Sequence, residues 1–162
     1  ITSGYFPLGG IGVSDEIAAV MNDSGSPWMH AYTYSSHPVG CAVALAMLDI
    51  IEQEDFVGQA AQKGKRLLVK LKEALSDHPN VGDVRGLGMM CAVEYVQDRD
   101  TREPFDAKEN IGAKIQREAV SRGMFSRVRG DVYCIAPPIV TEESTIDDIA
   151  EILAASTQAA LG

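Results

Sequence analysis

A proline at position 38 fixes where a long helix can begin in the first third of this sequence. Proline has no backbone N–H and suits the first position of a helix, where that N–H would have no partner within the helix. The residues that follow, 41–48, are apolar or small and include strong helix formers. We therefore predict a helix from Pro38 to about residue 54.

The segment just before this helix, residues 31–37, is rich in hydroxyl groups and aromatic rings. The free N–H groups at a helix start favour an anion, so Thr33, Ser35 and Ser36 are candidates for holding a phosphate or a carboxylate. The residues alone leave a second interpretation equally open, in which Ser36 or His37 simply caps the helix.

Hydrophobic periodicity and turn residues divide the rest of the chain into helices and strands. Before the first long helix we predict a buried strand at residues 6–13, a capped helix at 15–22 and a loop at 23–27. After it we predict helices at residues 55–76, 107–122 and 141–160, strands within 81–96 on either side of a glycine kink, and a hairpin at 125–136. This order is typical of a mixed α/β fold, α+β in its C-terminal part.

The hairpin contains the second group of candidate site residues. Gly130-Asp131 is a two-residue turn signal, which predicts that Arg127 pairs with Cys134 and Arg129 with Val132. Because strand side chains alternate, the two arginines share one face. A guanidinium group binds a carboxylate with two parallel hydrogen bonds, so either arginine is a candidate for that role or is simply an exposed strand charge.

Composition excludes several classes of function. The chain has 14 basic and 23 acidic residues and a net charge of −9, which argues against nucleic acid or an anionic membrane as a partner. The three cysteines form no Cys-x-x-Cys pair, which favours reduced thiols in a cytoplasm. The three histidines show no metal-ligand spacing, and no apolar run is long enough to span a bilayer.

Two segments carry a resemblance to a known family. Residues 32–42 resemble the segment before the domain-linking helix of the class III aminotransferases, which are pyridoxal-phosphate enzymes of fold type I. Residues 1–10 resemble the segment that follows the family's Schiff-base lysine, and the similarity continues to the end of the chain. It is strongest to the omega-amino acid and amine:pyruvate branch. The resemblance implies that residues 1–54 are the tail of the large domain with the linking helix, and that residues 55–162 are the small α/β domain.

The family's lysine would lie before Ile1, and no lysine of this sequence stands in a matching context. The resemblance therefore implies the C-terminal portion of a longer cytoplasmic enzyme, inactive alone, that completes its site with the rest of the large domain and a second subunit. Such an enzyme transfers an amino group from an omega-amino acid or amine to a keto acid such as pyruvate through pyridoxal phosphate.

The resemblance also assigns roles to single residues. It places Thr33 at the cofactor phosphate of the neighbouring subunit. Tyr32 and Tyr34 are candidates for lining the same cofactor pocket, and either could equally pack at the interface. It assigns Tyr5 to substrate binding. Arg127 matches an arginine that moves in for a carboxylate and out for an amine, whereas Arg129 has no such counterpart.

The sequence leaves two alternatives to an aminotransferase open. An aminomutase or a dialkylglycine-decarboxylase-like enzyme of the same fold would share the cofactor residues. Outside catalysis, the chain would be a helper or regulatory domain.

Overall fold

The computed structural model describes residues 1–26 and 29–162, which divide into two compact units, Ile1–Asp55 and Phe56–Gly162. The loop predicted at residues 23–27 ends at Pro27, which lies outside the described residues. Within the described ranges, no helix combines the length and the apolar character that crossing a membrane requires.

The first unit contains helices α1 (Asp15–Asp23) and α2 (Pro38–Gln53). Ser14 caps α1, since its side-chain oxygen accepts a hydrogen bond from the N–H of Ile17 at 3.4 Å. Pro38 lies in the first turn of α2, so the predicted start of the long helix is confirmed.

The strand predicted at residues 6–13 is wrong, because this segment is irregular and mostly exposed. A strand needs a neighbour for its backbone hydrogen bonds, and no strand is found among the described residues of Ile1–Asp55. The same unit has almost no core of its own. Its buried residues, as far as the chain is described, are Thr2, Gly40 and Ala44.

The second unit is a four-stranded antiparallel sheet with three long helices. The strands follow the spatial order β1-β2-β4-β3. Their bounds are β1 Val81–Leu87, β2 Met90–Tyr95, β3 Arg127–Arg129 and β4 Val132–Ile135, and the helices are α3 Phe56–Leu75, α4 Ile111–Ser121 and α5 Glu143–Leu161. The predicted strands on either side of a glycine kink and the predicted hairpin are both confirmed.

The helix predicted at residues 107–122 begins later than expected. Ala107–Glu109 is a short 3-10 turn, and Asn110 adopts a positive φ of 49° that separates this turn from α4. Gly123 follows the end of α4 with a φ of 90°, as predicted for a glycine at a helix C-terminus.

Register decides which face of the sheet is buried. Val84, Val93, Tyr133 and Val128 lie opposite one another across the four strands and belong to the hydrophobic core or pack against it. Side chains alternate along a strand, so the adjacent row lies on the other face. That row runs Arg85, Ala92, Cys134 and Arg127, and none of its members is buried.

Candidate active site

A tight turn shapes the hydroxyl-rich segment before α2. The N–H of Ser35 donates to the carbonyl of Tyr32 at 3.0 Å, and the N–H of Tyr32 donates to the Ser35 hydroxyl oxygen at 3.1 Å. The Ser35 oxygen is therefore used inside the turn. Thr33 and Tyr34 lie at its exposed tip, and the Thr33 hydroxyl makes no hydrogen bond with any described residue. Among the candidate hydroxyls, those of Thr33 and Ser36 have no partner in the described part of the chain, and Ser35 is already used.

The start of α2 has no side-chain cap. His37 precedes the helix, but its imidazole makes no capping bond, and its Nδ1 is buried without a hydrogen-bond partner among residues 1–26 and 29–162. The first helical hydrogen bond runs from the N–H of Cys41 to the carbonyl of His37 at 3.0 Å, which leaves the N–H groups of Val39 and Gly40 unused within the helix. No acidic residue lies in the first turn, so this end suits an anion.

Phe6 connects the beginning of the chain to this helix. Its ring centroid lies 5.3 Å from that of His37, and a β-carbon at Gly40 would lie only 2.8 Å from the Phe6 ring. The Thr2 hydroxyl donates to the carbonyl of Phe6 at 2.5 Å, and the N–H of Tyr5 donates to the carbonyl of Thr2 at 3.0 Å. This turn fixes the backbone of Tyr5, whose side chain is 83% exposed.

The charge of the first unit limits the chemistry it can perform. Residues 1–55 contain seven aspartates and glutamates and no lysine or arginine. A dianionic phosphate at Thr33 would receive neutral hydrogen bonds from this unit and no cation. The unit that carries Tyr5, Tyr32 and Thr33 also supplies no amine for covalent chemistry.

Arg127 and Arg129 lie on β3, opposite Cys134 and Val132 as predicted. Both arginines are exposed. Neither guanidinium forms an ion pair or a hydrogen bond with any residue in the part of the chain that the structure describes. Each is therefore available to a carboxylate from outside.

Other arginines in the same unit are already paired with carboxylates. Arg85 lies in the same cross-strand row as Arg127, but its guanidinium contacts Asp83 at 2.8 Å and Glu94 at 2.6 Å. Arg66 is held by Asp147 at 2.6 Å. These two guanidinium groups are poor candidates for binding a substrate, which distinguishes Arg127 from Arg85 on one sheet face.

A cleft that the sequence did not predict lies beside β3. It has a volume of about 240 Å³, its lining is mainly apolar, and Ser126, the residue before Arg127, forms part of its wall. The other lining residues are Met124, Phe125, Ile135, Ala136, Pro137, Pro138 and Ile149. The features that could have indicated this cleft are Pro137-Pro138 and Phe125, whose side chain is 86% exposed.

Tyr133, on the opposite side of β4 from Cys134, faces the hydrophobic core and not the open face of the sheet. It is fully buried, and its hydroxyl has no partner among the described residues. Burial raises the pKa of Tyr133 to about 12, so the phenol stays neutral and acts in packing.

The predicted site residues thus fall in two groups. Tyr5, Tyr32 and Thr33 lie in Ile1–Asp55, and Arg127 lies in Phe56–Gly162. The first group is held by the turn and by the contacts of Phe6, and Arg127 is held by the hairpin.

Comparison with known proteins gives consistent results. The profile of the family described as Aminotransferase class-III matches residues 1–156. The putrescine–pyruvate aminotransferase of Pseudomonas aeruginosa is 40% identical over 149 residues, which cover 92% of this chain and 32% of that protein. The curated relatives are about three times as long as the chain, which spans about a third of their length.

Solved structures agree with the sequence comparison. The (S)-enantioselective omega-transaminase of Thermomicrobium roseum is 42% identical, with a TM-score of 0.92 over 99% of this chain and 36% of that one. An amine transaminase from an uncultivated Pseudomonas species, solved in the PLP-bound form, is 37% identical, with a TM-score of 0.85 over 98% of this chain and 36% of that one. These likenesses confirm the fold class predicted from the sequence.

Proposed function

Because the chain belongs to the class III aminotransferases, we propose that it is the C-terminal part of an enzyme that moves an amino group from an omega-amino acid or amine to a keto acid such as pyruvate. The observation that carries this proposal is the unpaired guanidinium of Arg127 on the open face of the sheet. The likeness to a putrescine–pyruvate aminotransferase supports pyruvate as the acceptor.

The cofactor of this reaction is pyridoxal phosphate, and the geometry at α2 fits its phosphate. When bound, pyridoxal phosphate supplies an electron sink for the bond that breaks at the substrate carbon. Thr33 would donate its hydroxyl to a phosphate oxygen, and the N–H groups of Val39 and Gly40, unused within α2, would be further donors to an anion. Tyr32, whose side chain is 71% exposed, would contact the cofactor beside Thr33. Because residues 1–55 hold no cation, the neutralising charge comes from outside them.

We propose Arg127 as the residue that binds the substrate carboxylate. Arg127 donates two parallel hydrogen bonds to the carboxylate of a keto acid or amino acid, and its unpaired side chain moves away when an amine without a carboxylate binds. The arginine can therefore serve both substrates in turn. Tyr5, in the first unit, is proposed separately as a substrate-binding residue, because its exposed aromatic ring offers an apolar contact.

The proposed partners are the rest of the large domain and a second copy of the enzyme, in the cytoplasm. The first unit exposes large apolar side chains that a folded protein normally covers, including Ile11 at 89%, Val20 at 70% and Leu45 at 64%. The likeness to enzymes about three times longer supports a covering by large-domain residues. Thr33 would then serve the phosphate of the neighbouring subunit in a two-fold dimer.

The complete enzyme tests this function directly. We expect an amine donor and pyruvate to give alanine in a two-step exchange, in which each half-reaction proceeds without the other substrate. An aminomutase would need no keto acid, and a decarboxylase would release carbon dioxide from the donor. A helper domain would belong to a protein that gives none of these products.

The 162-residue chain alone is expected to form no specific covalent adduct with pyridoxal phosphate and to show no transamination. The cofactor is bound through a positioned amine, and residues 1–55 contain none. In the other unit, the Nζ of Lys63 donates to the side chain of Gln59 and to the carbonyl of Ile139, at 3.0 and 2.9 Å. Borohydride reduction followed by peptide mass spectrometry detects any covalent adduct between a lysine and pyridoxal phosphate. If a single lysine carried one equivalent of the cofactor after dialysis, the prediction would be wrong.

Replacing Thr33 by alanine in the complete enzyme is expected to weaken cofactor binding. The loss of one hydrogen bond to a charged phosphate costs about 1.5 to 3 kcal/mol, or roughly 10- to 150-fold in the dissociation constant. Equilibrium dialysis with pyridoxal phosphate gives this constant. Thr33→Ser is the matched control, because it keeps the hydroxyl and should keep most of the affinity. An alanine variant with unchanged affinity would remove Thr33 from the phosphate site.

A further inference from the structure

The strand that carries Arg127 is short and lies at an edge. β3 spans three residues, Arg127–Arg129, and its only strand neighbour in the sheet of the described residues is β4. Such an edge strand has few backbone hydrogen bonds to fix it, and short edges open easily. A bidentate carboxylate site, however, tolerates little displacement, about 0.5 Å. Other contacts must therefore hold the backbone at Arg127.

These contacts come from α4 and from the residue before Arg127. The side-chain amide nitrogen of Gln116 donates to the carbonyl of Ser126 at 2.8 Å. The Ser126 hydroxyl in turn donates to the carbonyl of Cys134. Because Cys134 is the cross-strand partner of Arg127, this chain of hydrogen bonds fixes the register of β3 at its first residue, Arg127.

The opposite end of β3 is held by the same face of α4. Gly112 lies one helical turn before Gln116, and its N–H donates to the Asp131 carboxylate at 3.3 Å. A β-carbon at Gly112 would lie 2.1 Å from the carbonyl oxygen of Gly130, so α4 touches the backbone of the hairpin turn. Gly112 and Gln116 together therefore hold both ends of the strand.

Gln116 keeps an unsatisfied group in this arrangement. Its side-chain oxygen is buried and has no hydrogen-bond partner in the described ranges. Burying such an acceptor destabilises a protein, and an apolar side chain of the same size would avoid that cost. The bond to the Ser126 carbonyl is therefore what Gln116 supplies and an apolar side chain would not.

We infer that Gln116 and Ser126 are positioning residues for Arg127: they hold the backbone of β3 in place so that only the arginine side chain moves between substrates. This inference rests on the proposed role of Arg127. Neither Gln116 nor Ser126 contacts the substrate in this proposal. Substituting either residue should nevertheless weaken the binding of substrates that carry a carboxylate, and should leave the binding of amines without one unchanged.

The test uses the complete enzyme with the variants Gln116→Leu, Ser126→Ala, Ser126→Thr and Arg127→Ala. We expect Gln116→Leu and Ser126→Ala to raise KM for pyruvate about tenfold, as a displaced binding group does, and to leave the half-reaction of a carboxylate-free amine unchanged. Ser126→Thr keeps the hydroxyl and should stay close to the parent enzyme. Thermal unfolding is measured for each variant, because Gln116→Leu removes the unpaired acceptor but also leaves the Ser126 carbonyl without its donor.

The outcomes separate the inference from the function on which it rests. If Arg127→Ala leaves KM for pyruvate unchanged, the proposed role of Arg127 is wrong. If Arg127→Ala raises that KM while Ser126→Ala and Gln116→Leu do not, the positioning role alone is overturned. Equal losses with pyruvate and with the amine would also overturn it, since they would indicate a general structural defect. Should Gln116→Leu fail to fold, the pair Ser126→Ala and Ser126→Thr decides the question.

Discussion

Replacing Gly64 by alanine is expected to lower the free energy of unfolding by about 2 to 4 kcal/mol, although alanine favours helices. A β-carbon at position 64 would lie 2.1 Å from the carbonyl oxygen of Gly88 and 2.2 Å from its carbonyl carbon. These atoms are backbone, and Gly88 has a φ of 53° in the turn between β1 and β2. Helix α3 or this turn must therefore move, because no flexible side chain can yield.

Urea unfolding of the protein measures this change through the transition midpoint at constant slope. Gly12→Ala is the matched control, since a β-carbon at Gly12 meets no atom within 4 Å. We expect the control to change stability by less than about 0.5 kcal/mol. A loss below 1 kcal/mol at Gly64 would mean that α3 and the turn adjust without cost, and the close approach would then have no structural role.

Local sequence signals predicted the parts of the fold that depend on neighbouring residues. Gly130-Asp131 has the residue types of a two-residue hairpin turn, and that turn fixes the pairing of Arg127 with Cys134. Pro38 fixed the start of α2 for the same kind of reason. In each case, the residues that determine the geometry are adjacent in sequence.

The errors and omissions arise where geometry depends on distant residues. Residues 6–13 have the composition of a buried strand, but strand formation needs a partner strand that Ile1–Asp55 lacks among its described residues. The contact between Gly64 and Gly88 joins a helix to a turn, and nothing in the sequence near either glycine indicates it. The bond from Gln116 to Ser126 is similar, because it depends on how α4 packs on the hairpin.

The candidate site was predictable in type but not in detail. The hydroxyls before α2 left an anion site and a simple helix cap equally open, and the structure then showed that Ser35 is used inside the turn while the Thr33 hydroxyl has no described partner. The two arginines were equivalent as charges on one strand face. The pairing of Arg85 with Asp83 and Glu94 narrowed the choice among the arginines of that face, because it removed a competitor for carboxylates.

Replacing Arg127 by alanine in the complete enzyme is expected to have the largest effect on activity. The loss of a bidentate, desolvated carboxylate partner costs about 2 to 4 kcal/mol, or roughly 30- to 1,000-fold in kcat/KM for pyruvate. The loss should arise mainly through KM, because the same bonds hold the carboxylate before and during the reaction. An amine donor without a carboxylate makes no such bonds, so its half-reaction should be unaffected.

Arg129→Ala separates specific binding from general electrostatics. Arg129 lies two residues further along the same strand, is exposed on the same face and has no ion pair within the described residues, so its removal deletes the same charge. If pyruvate were attracted only by the combined charge of the two exposed arginines, either substitution would remove half of that attraction, and salt would screen it. A hydrogen-bonded fork depends on one guanidinium alone, so only Arg127→Ala should change KM for pyruvate, at low and at high salt. The two half-reactions, followed separately for both variants, decide between these accounts, and a larger effect from Arg129 would transfer the carboxylate site to that residue.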